Sequence, residues 1–199
     1  QRQADAGARL VALPEYFCLM GQRDDDKLAI AEADGDGPIQ AFLAETARRH
    51  GIWLVGGTLP IRATAPGRVR NACCVYGPEG GRVARYDKIH LFRFDNGREQ
   101  YDESRVIESG QVPVAFELPS RDGHRWRVGL SVCYDLRFPE LFRAHASAGA
   151  DLLLVPSAFT FVTGQAHWEI LLRARAIENL AYVAAPAQGG VHENGRQTW

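Results

Sequence analysis

Residues Arg127-Val128-Gly129-Leu130-Ser131-Val132-Cys133-Tyr134-Asp135-Leu136-Arg137-Phe138-Pro139-Glu140-Leu141 pass from a strand through a turn into a helix. Val128 to Val132 is a short, mostly apolar run with β-branched residues, the pattern of a buried strand. Pro139 opens a helical pattern, because proline's fixed φ and missing N–H suit the first helical turn. Cys133 therefore falls where the strand stops. Open α/β sheets bind ligands at the carboxyl ends of their strands, and a turn there aims backbone N–H groups at the same edge. A thiol so placed is a candidate nucleophile. The plainer reading is a small core hydrophobe, as most unpaired cysteines are, and the rest of the chain has to decide between the two.

Outward from that stretch, the pattern predicts a helix over 139–148 closed by Gly149, and an apolar strand over 151–156. A long helix over 164–180 follows, burying Ile170, Leu171, Ala174, Ile177 and Ala181, and then a strand over 181–187. Residues 112–118 and 125–132 read as a hairpin about a turn at 120–124. Nearer the start, 9–13 reads as a strand that delivers Glu15 at its end. Residues 17–37 read as a long loop whose acidic triplet, 24–26, is a solvated bend. A helix is expected from Pro38 to Gly51 with Ile39, Phe42, Leu43 and Ala47 on its buried face. Residues 52–59 read as one strand, and 71–76 with 82–86 as an antiparallel hairpin in which at least one of Cys73 and Cys74 faces the core. Lys88 is flanked by apolar residues, and a buried lysine needs a partner. Residues 1–8 read as the tail of a helix and 189–199 as a polar loop, as if both ends were cut from a longer domain. Hairpins mixed with strand–helix–strand units predict an α/β (α+β) chain: two sheets faced by helices.

Of the 199 residues, 46% are hydrophobic and 24% charged, with a net charge of −1, enough for one core spanning 1–199 as a single domain. Near-neutral charge gives no electrostatic case for nucleic acid or an anionic membrane. The longest apolar runs, such as 152–162, are too short to span a bilayer. Cysteines at 18, 73, 74 and 133 form no disulfide framework, and no Cys-x-x-Cys pair marks a zinc site. A reducing cytoplasm without a secretory signal is the expected setting.

Glu15, Lys88 and Cys133 thus lie at strand ends, so far apart in sequence that only the fold can unite them. The words around them carry the signal: Leu-Pro-Glu-Tyr-Phe at 13–17, Tyr-Asp-Lys-Ile-His-Leu-Phe at 86–92, and Val-Gly-Leu-Ser-Val-Cys-Tyr-Asp-Leu-Arg-Phe-Pro-Glu-Leu at 128–141. Together with Asp102-Glu103-Ser104, Gly164-Gln165-Ala166-His167-Trp168-Glu169 and the run 173–183, they resemble the nitrilase superfamily of carbon–nitrogen hydrolases over essentially the whole chain. The resemblance implies a four-layer α-β-β-α sandwich, lacking here its first strand and C-terminal segment. It implies a Glu15–Lys88–Cys133 triad assisted by Glu103, and a homodimer or higher homo-oligomer formed through the helices over 139–148 and 164–180.

Amide hydrolysis explains why these residue types are needed. A free thiol is only a few per cent thiolate at neutral pH, so Lys88 is expected to favour the thiolate and Glu15 to shuttle protons. The Lys88 ammonium and the Tyr134 backbone N–H are the expected oxyanion donors, and Glu103 is expected to hold Lys88 or orient the substrate. The intermediate is a thioester; no metal and no organic cofactor is called for. The wording resembles most the Nit branch, which holds deaminated-glutathione amidases and ω-amidases. That points to a small amide substrate bearing a carboxylate, met by a cation from the 17–37 loop or near Arg93. A carbamoyl-amino-acid hydrolase or a true nitrilase would use the same triad. A Cys–His hydrolase with His90, His145 or His167 as base, and a catalytically silent dimeric scaffold, are the readings from outside that chemistry.

Overall fold

The computed structural model describes residues 2–95, 97 and 100–199. After a single helical turn, α1 (Arg2–Asp5), strand β1 (Leu10–Ala12) runs parallel to β2 (Trp53–Val55). β3 (Leu59–Arg62) and β4 (Val69–Tyr76) form a hairpin whose long strand also pairs with β2, while β5 (Arg82–Asp87) lies along the other edge of β4. β6 (Arg93–Asp95) and β7 (Gln100–Asp102) make a separate two-stranded ribbon. The second large sheet has β8 (Ala115–Pro119) antiparallel to β9 (Arg125–Leu130), with β10 (Leu152–Leu154) and β11 (Tyr182–Ala184) added in parallel. β12 (Gly190–Val191) and β13 (Gln197–Thr198) close a last hairpin. The remaining helices are α2 (Asp26–Ala29), α3 (Pro38–His50), α4 (Pro139–Ser147) and α5 (Phe161–Asn179).

The two large sheets lie face to face with helices outside them. Cys73 and Val75 of β4, with Val55 of β2, point inward to meet Phe116, Val128 and Leu130 of the second sheet. Their neighbour Cys74 points the other way, into a second cluster with Leu43 and Ala47 of α3. This alternation is what the two-residue period of a strand dictates when both faces are covered. Leu141 and Phe142 of α4 and Leu171 and Leu172 of α5 cover the far side of the second sheet, completing an α-β-β-α sandwich. Each fully buried leucine or phenylalanine contributes about 1.5–3 kcal/mol.

Several expectations give way here. Phe42 is 59% exposed; the buried face of α3 runs through Gln40, Leu43 and Ala47. Gln40 is buried because it binds the preceding loop, donating to the Ala33 carbonyl at 2.8 Å and to Glu32 at 3.0 Å. Glu32 in turn accepts the Ile39 and Gln40 N–H groups, capping the positive end of α3. Ile170 and Ile177 are 69% and 71% exposed, whereas Arg175 is buried, donating through Nε and Nη2 to the Leu136 carbonyl. Residues 52–59 are two strands, not one, broken at Gly56–Gly57. The 17–37 loop contains α2, and 189–199 is a hairpin rather than an open loop. The helix expected over 1–8 is α1; Gln1 lies outside the described residues. Among the described residues, no helix is long and apolar enough to cross a membrane.

Candidate active site

Glu15 follows β1 and is pinned from three sides. A Cβ on Gly57, whose φ is 53°, would stand 2.0 Å from the Pro14 carbonyl oxygen, so only glycine lets the two backbones approach. The next residue, Tyr16, has φ 57° and its N–H donates to Thr58 Oγ1 at 2.9 Å. Gln188 Nε2 donates to the carbonyls of Glu15 and Tyr16 at 2.8 and 3.0 Å. The carboxylate itself accepts from Asn71 Nδ2 and from the Ala158 N–H, each at 2.9 Å.

Lys88 leaves β5 with its N–H bonded to the Asn71 carbonyl, and its side chain is fully buried. Nζ lies 2.9 Å from Glu15 Oε1 and 2.9 Å from Glu103 Oε2. Glu103 opens a 3-10 turn, Glu103–Arg105, and also accepts from Tyr16 Oη and from the Phe92 N–H, both at 2.7 Å. Burial alone would lower the Lys88 pKa, but Glu103 and Glu15 outweigh it and hold the ammonium well above the ordinary lysine value. Burial would likewise raise Glu103; Lys88 and the donated N–H and O–H groups hold it below the ordinary range.

Cys133 begins a second 3-10 turn, Cys133–Arg137, with φ 48° and its N–H on the Pro156 carbonyl at 2.9 Å. A left-handed backbone at a residue with a Cβ is held only where the surroundings over-determine it. Here Asp135 does so. It is fully buried and accepts from Tyr86 Oη at 2.7 Å, the Val132 N–H at 2.8 Å and the His90 N–H at 3.0 Å. Tyr134 follows at the head of the turn, where an N–H has no acceptor within the turn itself.

Glu15, Glu103, Cys133 and Tyr134 line one cavity with an empty volume of about 300 Å³, together with Arg137 and Arg196. Lys88 stands behind its wall, between the two carboxylates. The fold thus unites residues that sequence separates by as many as 173 positions, the span from Glu15 to Gln188. Lys88 pulls Cys133 towards the thiolate, as expected, but burial first, and then Glu15 and Glu103, outweigh that pull and hold the thiol pKa well above its ordinary value. That direction favours a neutral thiol at rest. The three histidines considered as bases do not line this cavity. His90 Nδ1 lies on Asp135 at 2.7 Å, His145 Nε2 meets the Leu130 carbonyl at 2.9 Å, and His167 Nδ1 lies near Arg137.

Sequence reasoning did not single out Asp135, Asn71, Gln188, Arg137 or Arg196. Asp135 gave a faint signal, an aspartate two residues into a turn after a strand; Asn71 and Gln188 gave none. The cations that line this cavity are Arg137, four residues past Cys133, and Arg196 from the last hairpin; neither Arg93 nor a cation of the 17–37 loop lines it. Among the described residues, no group of three or more His, Cys, Asp or Glu is arranged to hold a metal ion.

Residues 1–199 match the model of the carbon-nitrogen hydrolase family. The chain is 42% identical to the deaminated glutathione amidase of Yersinia enterocolitica, covering 100% of this chain and 68% of that protein. It is 39% identical to an omega-amidase of Homo sapiens, covering 91% of this chain and 63% of that one. It superposes with a TM-score of 0.79 and 31% identity on a mutant amidase from Nesterenkonia sp. AN1 that carries acrylamide on its active-site cysteine, covering 99% of this chain and 71% of that one. The sandwich and its full-length match make this chain a member of the carbon–nitrogen hydrolase family.

Proposed function

We propose that the chain is a thiol-dependent amidase for small carboxylate-bearing amides. The Cys133 sulfur attacks the amide carbon while Glu15 takes the thiol proton, so a protonated resting thiol suits the reaction. General-base help of this kind is worth about 10²–10⁴ in rate. The oxyanion is met by the Lys88 ammonium and the Tyr134 N–H, a single such donor being worth about 3–4 kcal/mol. Collapse breaks the C–N bond as Glu15 returns the proton to the departing nitrogen, leaving a thioester on Cys133. Water then attacks that thioester, with Glu15 accepting its proton, and the acid is released with the thiol restored. Glu103 fixes Lys88 and keeps its charge, a positioning role.

The observation that carries this reading is the buried Glu15–Lys88–Glu103 cluster at the wall of the cavity that holds a strained Cys133. Arg137 and Arg196 in the same cavity favour a carboxylate on the substrate. With relatives named deaminated glutathione amidase and omega-amidase, the substrate class is an amide of an α-keto dicarboxylic acid. Ile170, Ile177, Leu180 and Tyr182 form an exposed apolar surface on α5 and the strand after it, which supports pairing with a second copy of the chain. Four free thiols accord with a reducing, cytoplasmic setting.

The test is hydrolysis of deaminated glutathione and α-ketoglutaramate by the full-length protein. Cys133→Ala and Lys88→Met are each expected to lower kcat by about 10⁴-fold or more, and the wild type to show an acyl adduct on Cys133 by mass spectrometry. Full turnover in Lys88→Met, or no adduct with any amide, would sink the reading.

A further inference from the structure

A second cavity stands back to back with the first. It has an empty volume of about 360 Å³ and shares three wall residues with the first: Phe92, Glu103 and Arg196. Its own cation is Lys27, which is 7% exposed. The contacts of that ammonium are weak: a 3.5 Å approach to the Asp24 carbonyl and the face of the Tyr16 ring at 4.8 Å. Arg196 places its guanidinium 5.1 Å from the Tyr101 ring, donates to the Ala158 carbonyl at 3.2 Å, and keeps Nε buried with no partner among the described residues.

The acids on this wall are already engaged. Both Glu103 oxygens accept from Lys88, Tyr16 and the Phe92 N–H, and Asp102 Oδ1 accepts from the Ser104 N–H and hydroxyl. Asp24 stands exposed at the rim. What the cavity leaves open is donor capacity on two cations. A buried ammonium without a close acceptor is costly, and a carboxylate entering here would satisfy Lys27 and Arg196 together.

We propose, resting on the amidase reading above, that this cavity receives a carboxylate on the amine portion of the substrate. The chain then grips its substrate at both ends. Arg137 takes the acid beside the scissile carbonyl's chain, and Lys27 with Arg196 takes the terminal carboxylate of a departing amino acid or dipeptide. Arg196 lines both cavities, at the wall they share. The preferred substrates are N-acylated amino acids or dipeptides with a free C-terminus, such as deaminated glutathione, over primary amides whose departing group is ammonia.

The experiment measures binding by calorimetry to full-length Cys133→Ala, using deaminated glutathione and its C-terminal carboxamide. The acid is expected to bind about tenfold tighter or better, a difference of about 1.4 kcal/mol. In Cys133→Ala with Lys27→Gln, the acid and carboxamide are expected to bind alike. Equal binding of the two ligands to Cys133→Ala alone, a comparison within one protein, would overturn the second subsite. Discrimination undiminished by Lys27→Gln would overturn the part given to Lys27. Turnover of α-ketoglutaramate by the wild type reports separately on the amidase reading, because that substrate has no carboxylate beyond its nitrogen.

Discussion

At the scale of single residues, Cys133 is held in an unfavourable state twice over. Its left-handed backbone costs about 1–2 kcal/mol, and its burial beside two carboxylates keeps the sulfur protonated. Iodoacetamide modification of Cys133, followed by mass spectrometry, is therefore expected to speed up steadily from pH 7 to about pH 10. A levelling-off near neutrality would mean a thiolate pre-formed at rest. The sign follows from the charge balance: with the pKa raised, each step up in pH below it adds thiolate. Asp135 is what holds the backbone in place. Asp135→Ala strands the Tyr86 hydroxyl and the Val132 and His90 N–H groups, each worth about 1–3 kcal/mol when left unpaired. A loss of about 3 kcal/mol or more is expected from urea titration, with Asp135→Asn less severe because it still accepts.

Among elements, one tight junction is between the end of β1 and the break after β2. Gly57→Ala would drive a methyl group into the Pro14 carbonyl and force an unfavourable φ. The expected result is a loss of about 2 kcal/mol or more in thermal or urea unfolding, and a lower kcat, because Glu15 follows directly on Pro14. Most elements could be read from the sequence: the β4–β5 hairpin, the strand leading to Cys133 and the helices opened by Pro38 and Pro139 stand close to where periodicity and proline placed them. Helix faces are harder. The apolar pattern predicts that Phe42, Ile170 and Ile177 are buried, yet Gln40 and Arg175 take the inner positions by satisfying carbonyls that only the folded chain presents. Glu15, Lys88, Glu103 and Cys133 stood in local words that could be recognised. Asn71, Gln188 and Arg196 did not, since their partners are remote in sequence and nothing beside them announces a role.

For the molecule as a whole, the exposed side chains of Ile170, Ile177, Leu180 and Tyr182 are the surface proposed above to pair with a second copy of the chain. Light scattering on full-length Ile177→Glu is expected to show half the mass of the wild type, because a charge would be desolvated at the contact; an unchanged mass would place the contact elsewhere. The cavity with Cys133 also ties remote parts of the chain together. Gln188 clasps the backbone at Glu15 and Tyr16, Asn194 reaches the Gly21 carbonyl, and Arg196 reaches the Ala158 carbonyl. A ribosome delivers Glu15 long before it delivers Gln188. While synthesis is under way, the carboxylate waits without the clasp that will orient it. On the amidase reading, a nascent chain stalled before Gln188 carries Glu15, Lys88, Glu103 and Cys133 without that clasp and is expected to be idle.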